Sequence, residues 1–181
     1  MTESSPTISA LIVARDEAAN LADCLRDREN LSALSSVSLG AAHGGVAIAT
    51  TRTTLAHALS YRLTARHGLA HGHACALMLG PVALFNAAVT PADCHDPRGV
   101  DFVRSTLASV LDAMGIASVS DLRDVLTGLC AAGGLPALEE IGDLDATQLV
   151  EEATTYDRSG SNPRRLDPEG LVPLLEYRPP S

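Results

Sequence analysis

Residues 57–86, HALSYRLTARHGLAHGHACALMLGPVALFN, contain four of the six histidines of the chain and then continue into a long apolar segment. The chain has 181 residues, of which 46% are hydrophobic but only 3% aromatic, and it has no tryptophan. Its core must therefore come mainly from alanine, leucine and valine. Because alanine and leucine favour helices, this composition predicts one mainly α domain of packed helices.

The spacing of His57 and His71 predicts a helical hairpin. These histidines are fourteen residues apart, which in one unbroken helix would separate them by about 21 Å. The sequence HGLAHG interrupts the helix, and Gly68 and Gly72 permit a sharp reversal. Two imidazoles facing one point would provide half of a divalent-metal site. From spacing alone, however, a histidine hydrogen-bonded to a carbonyl inside a helical core is the commoner case.

Other segments also have helical patterns. Residues 31–49 are rich in small side chains and predict a helix with a break at Gly44–Gly45. Apolar periodicity predicts helices over 100–114, 121–134 and 145–157, the second capped by Ser120. Asp167–Pro168–Glu169 has the N-cap, the N1 proline and the first-turn acid of a helix start. Residues 7–14, TISALIVA, are the one strand candidate, in a short N-terminal strand–helix segment.

Charge and cysteine usage exclude several functional classes. A net charge of −9 argues against a nucleic-acid partner, since few cations could neutralise phosphates. Four scattered cysteines without a CxxC pair are typical of reduced thiols in the cytosol. No basic region precedes the N-terminal apolar run, and no apolar run approaches the about 20 residues of a membrane span. We therefore expect a soluble, cytoplasmic protein with no membrane partner.

Residues 53–86, TTLAHALSYRLTARHGLAHGHACALMLGPVALFN, resemble the helical C-terminal domain of iron-containing (group III) alcohol dehydrogenases, a dehydroquinate synthase-like fold. The histidine interval, the HG that follows the second histidine and the terminal Phe85–Asn86 carry this resemblance. DPRGVDFVRSTL and SNPRRLDPEGL are also similar to the branch of the family that reduces phosphonoacetaldehyde. The resemblance implies a helical domain over residues 29–181, preceded by an N-terminal segment, 1–28, of uncertain origin.

The resemblance also implies a site and a reaction. Enzymes of this family combine an α/β domain that binds NAD(P) with a helical domain that holds Fe²⁺ or Zn²⁺. The metal polarises the carbonyl, or stabilises the alkoxide, during hydride transfer. His57 and His71 match the third and fourth metal ligands. Tyr61 stands where many relatives carry a histidine near the nicotinamide, so it could donate a hydrogen bond or simply pack.

Two parts of the family pattern are missing from the sequence. The first two metal ligands of the family form a D-x-x-x-H motif, which does not occur here, and neither does a glycine-rich nucleotide turn. Two histidines fall short of the three protein ligands usual for catalytic zinc. We therefore expect the chain alone to be inactive towards a small aldehyde or alcohol, and to need a nucleotide-binding partner chain or a homodimer. The alternative is a truncated, non-catalytic remnant or an interaction module.

Three further patterns carry weaker interpretations. Residues 7–25 weakly resemble the opening strand and helix of family-2 glycosyltransferases, as a fused remnant would, but nothing later continues that fold. Cys75, four residues after His71, is interpreted as a buried thiol. Cys94–His95–Asp96 imitates a nucleophile–base run, although neighbours in a loop seldom form a triad. His67 and His73 are predicted to be exposed or to line a pocket.

Overall fold

The computed structural model describes residues 20–157 and 159–177, and within these ranges the chain is mainly helical, as predicted. Residues 20–26 are helical. The longer helices are α1 (Leu31–Thr50), α2 (Leu55–His67), α3 (His71–Ala87), α4 (Val100–Met114), α5 (Val119–Ala132), α6 (Ala146–Ala153) and α7 (Pro168–Glu176), with 3-10 turns at Leu138–Glu140 and Ser159–Ser161. The strand predicted at residues 7–14 lies outside the described residues.

The chain divides into two compact units. One comprises residues 1–52 and 108–117, and the other comprises residues 53–107 and 118–181. Both histidine-bearing helices, α2 and α3, belong to the second unit. The predicted boundary between residues 28 and 29 is a different division and stays a prediction.

In the first unit, α1 is one continuous helix. The Asn30 side chain caps it by accepting a hydrogen bond from the backbone N–H of Ala33, and the break predicted at Gly44–Gly45 does not occur. Residues Leu31–Ala49 are long and apolar enough to cross a membrane, and only 6% of that stretch is buried. Buried core helices and signal sequences meet the same criterion. The prediction that no apolar run approaches the length of a membrane span is therefore wrong for α1, and the cytoplasmic location stays a prediction.

The core of the second unit forms around α2 and α3. Leu55, Leu59 and Leu63 follow one another at intervals of four residues, so they share one face of α2, and all three are fully buried. They pack in one cluster with apolar side chains of α3, α6 and α7, among them Leu77, Met78, Phe85, Leu149, Val150, Leu171 and Leu175. The predicted core of small aliphatic side chains is confirmed, with Phe85 as its one buried phenylalanine among the described residues.

The reversal between α2 and α3 rests on one glycine rather than two. Gly68 ends α2 in the left-handed region, with φ 68°, and its N–H donates to the carbonyl of Leu63. Gly72 lies inside α3 and does not have a positive φ. Thr54 occupies the N-cap of α2, but its side chain makes no capping hydrogen bond.

Other helix ends agree with the sequence in part. Asp145 and Asp167 cap α6 and α7 with their carboxylates, and the cap at Asp167 is the one that the sequence predicts. The cap of α5 is Ser118, whose hydroxyl accepts from the N–H of Asp121 at 3.2 Å, rather than Ser120. The helix that starts at His71 continues through Pro81 to Ala87.

The motif Phe85–Asn86 has a structural role at the end of α3. Asn86 and Asn162 are both buried and exchange two side-chain hydrogen bonds, of 3.2 and 2.7 Å. Arg164 donates to the carbonyl of Phe85 at 2.8 Å and lies over its ring, 4.2 Å from the centroid. Arg164 also forms an ion pair with Asp93 at 2.7 Å. These contacts fix the C-terminal end of α3 against the loop that precedes α7.

Candidate metal centre

The site lies where the start of α3 meets the first turns of α2. The imidazole rings of His57 and His71 have centroids 5.4 Å apart and are inclined at 68°. His57 is partly buried and His71 is exposed. The predicted convergence of the two rings is therefore confirmed, although their role as metal ligands stays a prediction.

The connection between the helices determines which residues meet. The start of α3 lies beside Ser60, since the Ser60 Oγ is 3.5 Å from the Nδ1 of His71. Ser60 follows His57 by three residues on α2, so both side chains lie on the same face of the helix. This placement brings His71 back towards the start of α2 instead of leaving it near His67.

Cys75 completes a group of three donor atoms. One potential ligand atom from each of His57, His71 and Cys75 lies within 4.8 Å of the other two. The Cys75 Sγ is 3.6 Å from the Nε2 of His71. Cys75 is partly exposed, so its interpretation as a buried thiol is wrong. The sequence offered a signal for this contact, because residues four apart on a helix share a face.

Ser60 forms the floor of this group. Its side chain is fully buried, and its hydroxyl donates to the carbonyl of His57 at 2.8 Å. The same hydroxyl accepts a hydrogen bond from the Cys75 thiol at 3.3 Å. Burial raises the pKa of the Cys75 thiol, and the hydrogen bond with Ser60 opposes this rise. Sequence reasoning did not identify Ser60, because a serine inside a helix carries no motif of its own.

Tyr61 borders the site through its ring. The ring stacks on His71 with centroids 6.0 Å apart and an angle of 14°. It also meets Tyr156 edge to face at 5.2 Å. These ring contacts are those of a packing residue, one of the two roles expected for Tyr61. They restrain the imidazole of His71 from one side. The proposed hydrogen-bond role of Tyr61 in catalysis stays a prediction.

His73 of the same stretch does not belong to this group. His73 is buried, with its Nε2 2.9 Å from the carbonyl oxygen of Pro136, so the expectation that it would be exposed or line a pocket is wrong.

In the loop after α3, His95 is exposed, while the Cys94 thiol donates to the backbone carbonyl of Asp96 at 3.6 Å. The structure therefore does not arrange Cys94–His95–Asp96 as a triad, in agreement with the prediction.

A charged network holds the site-bearing helix α2 against α6. The buried guanidinium of Arg62 pairs with Glu152 and also donates to the side chain of Gln148. Arg66, one turn later on α2, reaches the same Glu152 carboxylate at 3.1 Å. Because Arg62 lies two residues after Ser60 on α2, this network fixes the backbone from which the site projects.

The sequence model of the Fe-containing alcohol dehydrogenase family, C-terminal, matches residues 7–178. The chain belongs to the iron-containing alcohol dehydrogenase family. This confirms the resemblance recognised in residues 53–86. The matched range also includes residues 7–25, in which the sequence suggested a glycosyltransferase-like opening.

A curated relative within the family gives a finer comparison. The chain is 41% identical, over 152 residues, to the phosphonoacetaldehyde reductase of Streptomyces viridochromogenes. This similarity covers 84% of the chain but only 38% of the reductase. The chain therefore spans well under half the length of this curated relative.

Solved structures show the same fold. The alcohol dehydrogenase from Oenococcus oeni matches 96% of the chain with a TM-score of 0.74 and 22% identity, and the match covers 45% of that enzyme. The iron-containing alcohol dehydrogenase from Thermococcus thioreducens matches 96% of the chain with a TM-score of 0.71 and 23% identity, over 44% of its length. The described residues thus have the fold of part of these enzymes.

Proposed function

We propose that this chain is the metal-binding helical half of an NAD(P)-dependent alcohol dehydrogenase or aldehyde reductase, similar to phosphonoacetaldehyde reductase. One observation carries the proposal: His57 and His71 converge, with ring centroids 5.4 Å apart, in a chain that belongs to this family. The 41% identity to the Streptomyces reductase supports a phosphonate-bearing aldehyde as the substrate class.

In this proposal His57 and His71 hold Fe²⁺ or Zn²⁺. Imidazole nitrogen suits both ions, and the exposure of His71 leaves room for further ligands from outside the described site. When bound, the metal would polarise the oxygen of the aldehyde or alcohol. Tyr61 and Ser60 contribute by restraint, since they contact His71 on two sides and limit the rotation of its ring.

The nucleotide would come from a second half of the enzyme. The chain covers 38% of the reductase, and its sequence has neither the D-x-x-x-H motif nor a glycine-rich nucleotide turn. We propose that NAD(P) and the remaining family ligands are supplied by a nucleotide-binding partner chain, and that the helical half alone does not turn over. The alternative to a separate partner chain is a homodimer of this chain.

The first experiment measures metal content. When the chain is mixed with the nucleotide-binding half of the Streptomyces reductase, which supplies the remaining ligands, Fe²⁺ or Zn²⁺ is expected to bind with a stoichiometry near one, and His57→Ala and His71→Ala should each lose most of it. His95→Ala is the matched control, because His95 is exposed and lies outside the site. Equal metal content in all four proteins would contradict the proposal.

The second experiment measures turnover. The nucleotide-binding half of the Streptomyces reductase is supplied as a separate chain, and NAD(P)H oxidation is followed with phosphonoacetaldehyde and with simple aldehydes. Activity is expected only from the mixture, with phosphonoacetaldehyde preferred. Activity of the helical chain alone would refute the partner requirement while leaving the metal site intact.

The surface of α1 favours a second candidate function, a non-catalytic interaction module. Leu31, Leu39 and Ile48 are large apolar side chains that are 76%, 59% and 51% exposed. Apolar side chains gathered on one exposed helix are typical of association surfaces. Under this alternative the chain self-associates in analytical ultracentrifugation, Leu31→Glu with Leu39→Glu abolishes association, and all variants lack bound metal.

A further inference from the structure

We propose that the thiolate of Cys75 is a third protein ligand, so that His57, His71 and Cys75 form a zinc site contained within this chain. The inference rests on the proposed function only in requiring that the two histidines bind a metal. It adds a ligand that the family resemblance does not predict, and it removes the need for the missing D-x-x-x-H motif before metal can bind.

The separation of Cys75 from His71 fits a tetrahedral ion. Zinc–sulfur bonds of about 2.3 Å and zinc–nitrogen bonds of about 2.0–2.1 Å, at a tetrahedral angle, place sulfur and nitrogen about 3.5 Å apart. The Cys75 Sγ and the His71 Nε2 are 3.6 Å apart. The two side chains are four residues apart on α3, so the helix itself holds them at this spacing.

His57 completes the triangle from the other helix. Its ligand nitrogen lies within 4.8 Å of both other donor atoms. In a tetrahedral zinc site two nitrogens stand about 3.3 Å apart, so a side-chain movement on the order of 1 Å closes the group. Such a movement needs only small rotations about side-chain bonds, because α2 and α3 already pack together on either side of the site.

The hydrogen bonds at Ser60 are compatible with a metal-bound thiolate. The Ser60 hydroxyl donates a hydrogen bond to the carbonyl of His57, so towards the Cys75 thiol its oxygen acts only as an acceptor. When Cys75 loses its proton to bind a metal, Ser60 loses one weak hydrogen bond and keeps its stronger one. In the alternative orientation the hydroxyl gives up its bond to the His57 carbonyl and donates to the thiolate instead.

The donor set determines which metal the site prefers. Two imidazoles and one thiolate are borderline-to-soft ligands, which favour zinc over harder ions such as Mg²⁺. Three protein ligands with an open fourth position are the arrangement of catalytic zinc. Because His71 is exposed, the fourth position would be accessible to water or to a substrate oxygen.

Cobalt spectroscopy tests the ligand directly. Co²⁺ is titrated into the full chain, and the near-ultraviolet sulfur-to-cobalt charge-transfer band reports thiolate coordination. We expect the band in the wild-type protein, its loss in Cys75→Ser and its retention in Cys94→Ser, the matched control. Since loss of an outer-shell partner of a metal site already costs 10–100-fold in affinity, loss of a direct ligand should cost more than about 100-fold.

Zinc protection gives a second readout that does not depend on the Cys75 variant folding. Alkylation of each cysteine in the wild-type chain is followed by mass spectrometry, with and without Zn²⁺. Zinc should slow alkylation of Cys75 but not of Cys94, and His57→Ala should abolish the protection. Tight metal binding that needs His57 and His71 but is unchanged in Cys75→Ser would overturn the inference and spare the proposed function. A chain that alone binds neither Co²⁺ nor Zn²⁺ would overturn the inference, whereas the absence of metal also from its mixture with the nucleotide-binding half would overturn both.

Discussion

Replacing Gly68 and Gly72 separately by alanine should change stability in opposite directions. Both glycines belong to the HGLAHG break, and the sequence gives them equal weight as the source of the reversal. In the structure only Gly68 has a positive φ, of 68°, whereas Gly72 lies within α3. A Cβ at either position would meet no atom within 4 Å, so crowding does not contribute and backbone conformation decides the outcome.

The magnitudes follow from this difference. An alanine held in the left-handed region costs roughly 1–2 kcal/mol, and its smaller unfolded-state entropy returns about 0.4–1 kcal/mol. Gly68→Ala should therefore lower the free energy of unfolding by about 1 kcal/mol. Gly72→Ala gains the unfolded-state term without the strain, so it should raise that free energy by about 0.5 kcal/mol. Gly68→Asn should fall between wild type and Gly68→Ala, because asparagine tolerates this conformation better.

Urea unfolding followed by circular dichroism measures these differences. The two alanine variants should differ by about 1.5 kcal/mol, with unchanged dependence on urea concentration. In a domain of this size a change of 1 kcal/mol corresponds to about 2–4 °C in the melting temperature. If Gly68→Ala were neutral, or Gly72→Ala as destabilising as Gly68→Ala, the assignment of the reversal to Gly68 would be refuted.

Three other predictions concern the packing around the site. Glu152→Ala should lower the free energy of unfolding by about 3 kcal/mol, because it removes the charged partner of the buried Arg62. Gly80→Ala should cost about 1–3 kcal/mol, since its Cβ would lie 2.9 Å from the Cα of Arg123 on α5. A hydrogen bond from the backbone of Thr90 is the main cause that lowers the pKa of Asp93 from 3.8 to about 2. The ionised carboxylate of Asp93 therefore contributes its full stabilisation of the fold above pH 3.8. Unfolding measured against pH should show that contribution decline between pH 3.8 and 2.

Matched variants control these measurements. Glu151→Ala changes an exposed neighbour of Glu152 and should stay within about 0.5 kcal/mol of wild type. Gly128→Ala changes a helical glycine with open space around its Cβ position, so it should not destabilise the fold. Asp93→Asn should flatten the acid limb of the stability profile. Identical acid limbs in Asp93→Asn and wild type would assign that limb to other carboxylates.

Periodicity and composition predicted most of the helices, because apolar spacing reports which face of each helix is buried. Apolar spacing predicted the positions of α4 and α6, and the pattern Asp167–Pro168–Glu169 predicted the start of α7 and its cap. The break predicted at Gly44–Gly45 does not occur, because α1 continues through both glycines. Only 6% of the stretch Leu31–Ala49 is buried, so packing is not what preserves this helix. A glycine costs about 1 kcal/mol inside a helix, which weakens the helix without ending it.

The sequence predicted the two histidines of the candidate site but not its cysteine. The interval between His57 and His71 indicated two donors across a broken helix, and the ring contact confirms their approach. Cys75 lies on the same face of α3 as His71, but the sequence alone favours a buried, non-ligating thiol, because free cysteines are usually buried. Its role as a candidate ligand depends on a tertiary contact, since Ser60 of α2 contacts both His71 and Cys75.

Helical phase separates the donors of this site from the structural histidine two residues later. At 3.6 residues per turn, Cys75 returns to within about 40° of His71, whereas His73 points about 200° away. His73 accordingly lies in the core and contacts the carbonyl oxygen of Pro136, and Cys75 lies beside the Nε2 of His71. The start of α3 alone determines which residues share the phase of His71. Moving the thiol by one residue, with Cys75→Ala and Ala76→Cys, should therefore abolish the cobalt charge-transfer band while keeping a partly exposed cysteine on the same helix turn.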